Sequence, residues 1–296
     1  MARLRAALPY SPTADQEAAV ADVANDLASE TPMRRLLLGD VGTGKTLVAL
    51  FAAAQCVAAK HTVAILAPTV VLADQYLDAV APLAQATGAR IASLTGAMPK
   101  ADADRVRAEL ARGGLDVVIG THALFSDATE IPRLGLVVVD EQQRLGVAQR
   151  LALVKKGGRP HLLSLSATPI PRTLALVLRG ELASSSLTTR PAGRPPVATS
   201  VESRDRFADV VARIAGVIAR GERVFVVTPR IAATDEDEDD APTAAEERGD
   251  ELARALAPAR VVVLHGRMKP AEKAAAMRAF RDGRAMVLVG TTVVEV

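Results

Sequence analysis

The chain has no tryptophan, two tyrosines and five phenylalanines in 296 residues, an aromatic content of 2%. A surface that grips its ligand mainly through stacked rings is therefore a poor reading, and the core has to be assembled from Ala, Val, Leu and Ile. The single cysteine, Cys56, permits no internal disulfide and no zinc cluster. In its apolar stretch it reads as a buried free thiol, which fits a reducing compartment. The longest mostly apolar run, 47–59, contains Gln55 and is shorter than the roughly 20 residues needed to cross a bilayer. The opening MARLRAALPYSP is broken by proline too early for a secretory signal. Together these absences predict a soluble, cytoplasmic protein with no membrane partner.

What is present is an uneven charge. Between 235 and 251 stand ten acids and one arginine, a local charge of −9, so the formal total of +2 requires +11 in the remainder. A positive remainder suits a polyanion, although a scattered solubilising surface gives the same arithmetic. The six consecutive acids at 235–240 repel one another and have no apolar face, which predicts a surface loop rather than a metal cage.

Short apolar runs alternate with helical stretches along the whole chain. Helices are expected over 13–30, 44–59 and 70–85, and strands over 34–39, 62–68, 91–94, 115–120, 134–140 and 161–167. Continuous rather than alternating apolar runs are the mark of parallel strands covered on both faces. An irregular, proline-rich stretch from 184 ends this first unit. The pattern then repeats, with apolar runs at 197–201, 223–229, 260–266 and 285–290 and helices over 204–220, 246–256 and 270–281. Two α/β units result, divided as 1–183, a linker over 184–200, and a partial unit over 201–296 that ends directly after a strand.

Residues 39–46, GDVGTGKT, fit the spacing of a phosphate loop and stand between a strand and a helix. The glycines Gly39, Gly42 and Gly44 let backbone N–H groups converge on phosphate oxygens at a helix N-terminus. Lys45 is placed to reach the β- and γ-phosphates, and the Thr46 hydroxyl to hold Mg2+. A second acid at another strand end is then required, and LGLVVVDEQQ supplies Asp140 for the metal and Glu141 to activate the attacking water. The two acids also suit the first turn of a helix, where negative charge is favourable in any protein. Transition-state charge calls for an arginine as well, whose position does not follow from this chain.

The order and wording of LPYSPTADQEAAV, GDVGTGKT, APTVVLADQ, VIGTHALF, VVVDEQQRLGVAQR, SATPIPRTLAL, PAGRPPVATSV and LHGRMKPAEKAAAMRAF resemble the superfamily 2 helicases, specifically the RecG-type ATP-dependent DNA helicases. The resemblance implies two RecA-like P-loop NTPase units with mostly parallel sheets, the second incomplete. It implies ATP and Mg2+ as cofactors, a monomer, and action on stalled forks or branched DNA in repair and recombination. By position, Gln16 resembles the adenine-reading glutamine and Tyr10 a ring beside the base. Gln16 also suits a helix surface, and Tyr10 an amphipathic anchor. Ser166, Ala167 and Thr168 resemble the segment that couples nucleotide state to DNA movement, with Gln143 and Arg172 close to it. Pro68, Thr69, Gly120, Thr121 and His122 look like DNA-facing loops of the first unit. His265, Gly266, Arg267 and Met268 look like one in the second, with the grip on duplex or branched DNA made mainly through the phosphate backbone.

The chain departs from that family at several points. DEQQ replaces DEQH, so Gln143 cannot become a cation; APTV replaces APTE at Val70; and RLG replaces RFG at Leu145. The family's N-terminal wedge domain and its later arginine-bearing motif are not in this sequence, so the chain reads as truncated at both ends and its turnover as weak or absent. Two other readings stand beside the helicase motor. One is a non-catalytic nucleic-acid-binding remnant, and the other a translocase of the transcription-repair coupling type.

Overall fold

The structure, a computed structural model, describes residues 2–8, 11–140, 158–167, 182–191, 197–228 and 244–291. Tyr10, Glu141, Gln143, Thr168, Arg172 and the acidic run 235–240 lie outside the described residues. The chain divides into two compact units, Met1–Pro195 and Pro196–Val296.

In the first unit the six apolar runs become parallel strands and a seventh strand joins them: β1 (Arg34–Gly39), β2 (Thr62–Leu66), β3 (Ile91–Leu94), β4 (Val117–Gly120), β5 (Leu134–Asp140), β6 (His161–Ser166) and β7 (Ala183–Leu187). They lie in the order β3-β4-β2-β5-β6-β1-β7. Every residue of β2 and β4 is buried, as continuous apolar strands require when both faces are covered. Along β2, Val63 and Ile65 enter one core while Ala64 and Leu66 enter the other, the alternation of a pleated strand.

The helices are α1 (Ala2–Ala7), α2 (Ala14–Leu27), α3 (Lys45–Ala58), α4 (Val70–Ala79), α5 (Ala81–Thr87) and α6 (Lys100–Ala111). Thr13 starts α2 through a capping box with Gln16. α3 buries eight consecutive residues, Leu47 to Ala54, and then Cys56, whose thiol burial pushes up to about 12. Among the described residues no helix is long and apolar enough to cross a membrane.

Three segments differ from expectation. The helix read over 70–85 is two, meeting at Val80, because Pro82 in the first turn of α5 has no N–H with which to continue α4. β7 occupies 183–187, where the sequence reads as the start of a linker. Its Ser-rich composition conceals a strand with Ser185 and Leu187 buried and their neighbours exposed. Conversely, 197–203 form no regular element, and Val197 and Val201 are exposed.

The second unit contains α7 (Phe207–Ala219), β8 (Val224–Val227), α8 (Ala244–Ala255), β9 (Val261–Leu264), α9 (Pro270–Arg281) and β10 (Val287–Gly290). Its three strands are parallel, in the order β8-β10-β9. This unit repeats part of the first at a constant spacing. β3, α6 and β4 map onto β9, α9 and β10 when 170 is added to each residue number, down to single hydrogen bonds. Met98 N–H donates to Thr95 as Met268 does to His265, and Thr121 N–H donates to Leu94 as Thr291 does to Leu264. β2 maps onto β8 with 161 added, so nine additional residues fall between β8 and β9.

Candidate functional site at the carboxyl edge of the first sheet

Because all seven strands run the same way, their carboxyl ends share one edge, the usual place for ligands in open α/β sheets. Four of those ends, in β5, β6, β1 and β7, deliver Asp140, Ser166, Gly39 and Leu187 side by side. The other three, in β2, β4 and β3, deliver the segments that follow Leu66, Gly120 and Leu94.

The loop 39–46 joins β1 to α3. Gly42 and Gly44 adopt φ of 82° and 86°, left-handed values that favour glycine and curl the backbone into a cradle. A Cβ on Gly39 would stand 2.4 Å from Thr43 Oγ1, and one on Gly44 would stand 2.2 Å from Gln16 Nε2. Lys45 opens α3 and turns its ammonium back over the loop, donating to Gly39 O at 2.7 Å and Asp40 O at 3.2 Å. Thr46, partly buried, follows it in the first turn.

Gln16 is 1% exposed and braces this loop from below. Its Nε2 donates to Thr43 O at 2.7 Å, while its Oε1 accepts from Thr13 N–H at 2.9 Å. The carboxamide therefore already holds loop and helix cap together, and any contact to a base has to use its remaining N–H and lone pair.

Asp140 ends β5, two strands from β1, which at the usual strand spacing places it about 10 Å across the edge from Gly39. Between them lies Ser166 at the end of β6, buried, with Ala167 next to it. Among the described residues no group of three or more His, Cys, Asp or Glu side chains converges to hold a metal ion unaided. The Thr46 hydroxyl and Asp140 carboxylate are hard oxygen donors of the kind Mg2+ takes, and two such residues suit an ion that also takes phosphate oxygens. The left-handed glycines, the lysine resting on carbonyls and this donor pair fit a nucleoside triphosphate with magnesium.

On the other half of the edge, Thr69 caps α4 by accepting Leu72 N–H at 3.2 Å, with Pro68 before it. Gly120 is obligatory, since a Cβ there would lie 2.2 Å from Leu94 O. Thr121 is 4% exposed, and its Oγ1 has no hydrogen-bond partner. The exposed His122 covers Gly96, whose Cβ would meet the imidazole at 2.9 Å. Thr95 and Gly96 thus belong to the same patch, although the sequence reading passes over them. Their signal is position: they follow β3 as Thr121 and His122 follow β4.

In the second unit His265 is 8% exposed and turned inward, its Nε2 on Glu246 Oε1 at 3.1 Å. The exposed part of that loop is Gly266 and Arg267, with Met268 half-buried behind it. The 170-residue repeat adds Thr291, the counterpart of Thr121, which the sequence reading also omits.

The DEAD/DEAH box helicase family model matches residues 13–177, and the helicase conserved C-terminal domain matches residues 207–296. The RecG ATP-dependent DNA helicase of Acidithiobacillus ferridurans is 43% identical over 298 residues, covering 99% of this chain and 42% of that protein. The RecG helicase of Mycobacterium tuberculosis H37Rv is 44% identical over 318 residues, covering 100% of this chain and 43% of the relative. The chain thus spans less than half the length of these relatives. A solved structure of RecG bound to a three-way DNA junction matches with a TM-score of 0.75 and 34% identity, covering 98% of this chain and 37% of that one.

Proposed function

We infer the function from one premise: the chain belongs to the DEAD/DEAH box helicase family, with two RecA-like units and RecG-type helicases as relatives over nearly its whole length. We propose that it is the motor portion of an ATP-dependent DNA helicase of that type, acting on forked or branched DNA in repair and recombination. The observation that carries this reading is the shared edge. A phosphate cradle with Lys45 at its helix start lies on the same line of strand ends as the loops after β2, β3 and β4, which expose Gly96 and His122 and half-bury Pro68 and Thr69.

In this reading Lys45 leaves the carbonyls of Gly39 and Asp40 to bind the terminal phosphates, and the loop's N–H groups orient them. Thr46 and Asp140 hold the magnesium ion, which neutralises phosphate charge when bound. Glu141 positions the attacking water, Tyr10 packs beside the base, and Gln16 reads it with the half of its amide that the loop leaves over. Ser166, Ala167 and Thr168, with Gln143 and Arg172, carry the nucleotide state toward the DNA grip. That grip is made by Pro68, Thr69, Thr95, Gly96, Gly120, Thr121 and His122 in one unit, and by Gly266, Arg267 and Thr291 in the other. His265 orients its loop from inside. Contacts of this kind reach phosphate and sugar rather than base edges, as an enzyme working at many sequences requires.

The test pairs a salt series of junction-DNA binding with ATP hydrolysis measured with and without DNA. Binding that weakens with salt together with DNA-stimulated phosphate release, however slow, supports the motor; DNA binding with neither nucleotide affinity nor such hydrolysis favours a non-catalytic nucleic-acid binder. Lys45→Ala is expected to weaken ATP binding by about 10- to 100-fold, the worth of a charge-assisted contact. Unchanged affinity in that variant contradicts the loop contact.

A further inference from the structure

The outer strand of the first sheet brings a second cation to the phosphate loop. β7 pairs with β1 so that Leu187 lies opposite Gly39, and residues 188–190 leave the sheet beside the cradle. Asp15, in the first turn of α2, fastens their start. Its Oδ2 accepts from Thr188 N–H at 2.8 Å, Thr188 Oγ1 at 2.7 Å and Thr189 N–H at 2.8 Å. Those donors hold the Asp15 carboxyl far below the usual carboxylate range, Thr188 foremost. The next side chain, Arg190, donates through Nη2 to Asp40 Oδ2 at 2.8 Å.

Asp40 occupies the second position of the loop and is tied to it on every side. Its Oδ1 accepts from Val41 N–H at 2.8 Å, and its carbonyl accepts from Thr43 Oγ1 at 2.9 Å and Lys45 Nζ at 3.2 Å. Arg190, then the Val41 amide, lower its pKa, so it remains a carboxylate. A fixed negative charge in a loop built to receive anions opposes its ligand, and the opposition grows with each phosphate added. The Arg190–Asp40 pair is 46% and 62% exposed, and an exposed pair contributes little to fold stability. Its effect therefore falls on whatever charge enters the loop.

We propose that Arg190 is a specificity-determining residue of the nucleotide site. It is the counter-charge that cancels Asp40 and sets the loop's preference for nucleotides with more phosphates, and Asp15 is the positioning residue that delivers it. The proposal rests on the nucleotide reading of the loop.

The test is calorimetric titration of the whole chain with a non-hydrolysable ATP analogue, ADP and AMP in magnesium buffer, after thermal melts establish that each variant is folded. Arg190→Ala is expected to weaken the triphosphate by about three- to tenfold, the diphosphate less and the monophosphate least. Adding Asp40→Asn to Arg190→Ala restores triphosphate affinity to within about twofold of the parent, and added salt shrinks every difference. Asp15→Asn gives a smaller loss in the same charge order. The proposal falls if Arg190→Ala changes nothing, if it weakens all three ligands equally, or if the double variant stays as weak as Arg190→Ala. An unaffected Asp15→Asn protein removes Asp15 from it. Failure of the underlying reading shows differently: the parent binds no nucleotide, or Lys45→Ala binds as well as the parent.

Discussion

Gly120 and Thr121 at the end of β4 and Gly290 and Thr291 at the end of β10 close the same turn of chain, but the first pair sits in a seven-stranded sheet and the second in a three-stranded one. The half-sheet β3-β4-β2 and the sheet β9-β10-β8 share order and direction. Among the described residues only the first unit adds β5, β6, β1 and β7, and with them the phosphate loop. On the function proposed above, the common frame carries the DNA-facing loops and the added strands carry the nucleotide loop. The cores differ accordingly. In the first unit α3 is buried along most of its length, whereas α7 has no buried residue and β8 leaves Phe225 54% exposed.

The sharpest way to break this comparison is to truncate one phenylalanine in each unit. Phe51 is fully buried beneath the Arg5 guanidinium, and Phe51→Ala is expected to lower unfolding free energy by about 3–5 kcal/mol in denaturant titrations. Phe225→Ala, at a half-exposed ring that packs edge-on against Phe280, is expected to cost about 1–2 kcal/mol. Equal losses would mean that the two cores carry the same load.

Alkaline pH separates the units by a smaller amount, since the only cysteine lies in the first. Burial raises the Cys56 thiol from 9.0 to about 12, so the unfolded chain ionises first. Stability from this group is complete below about pH 9 and declines as pH rises toward 12, by at most about 1.4 kcal/mol per pH unit. In melts between pH 8 and 11 the parent should lose stability relative to Cys56→Ala above pH 9, and a gap that stays constant would contradict the burial.

The mildest effect concerns DNA. Arg267→Ala is expected to reduce the slope of log affinity against log salt by about 0.9, the share of one phosphate contact, whereas Thr121→Ala weakens binding without changing the slope. An unaltered slope in the arginine variant would remove Arg267 from the phosphate contacts.

Much of this arrangement was legible in the residues. β1, β5 and α9 occupy the spans their apolar runs and Pro270 predict, because each is bounded by glycine, acid or proline at the point where its pattern stops. β7 was not, since ASSSL lacks the β-branched run that marks a strand and owes its place to pairing with β1. The break at Val80 was available in Pro82 but was outweighed by the apolar spacing on either side of it. At the site, the loop and Asp140 stood out by spacing. The inward turn of His265 and the brace at Gln16 did not, because both depend on partners far away in sequence. Arg190 was invisible for the same reason, 150 positions from the acid it meets.

The nine extra residues between β8 and β9 come between two strands that do not pair with each other, because β10 separates them. A spacer placed there can lengthen or shorten without sliding either strand along β10. Excising the nine residues 232–240 is expected to leave the melting curve of the second unit in place, while removing six acids and so raising the formal charge from +2 to +8. What remains would be a markedly more basic chain, with a stronger long-range pull on any polyanion, and a lowered melting curve would instead make the run a contributor to the fold.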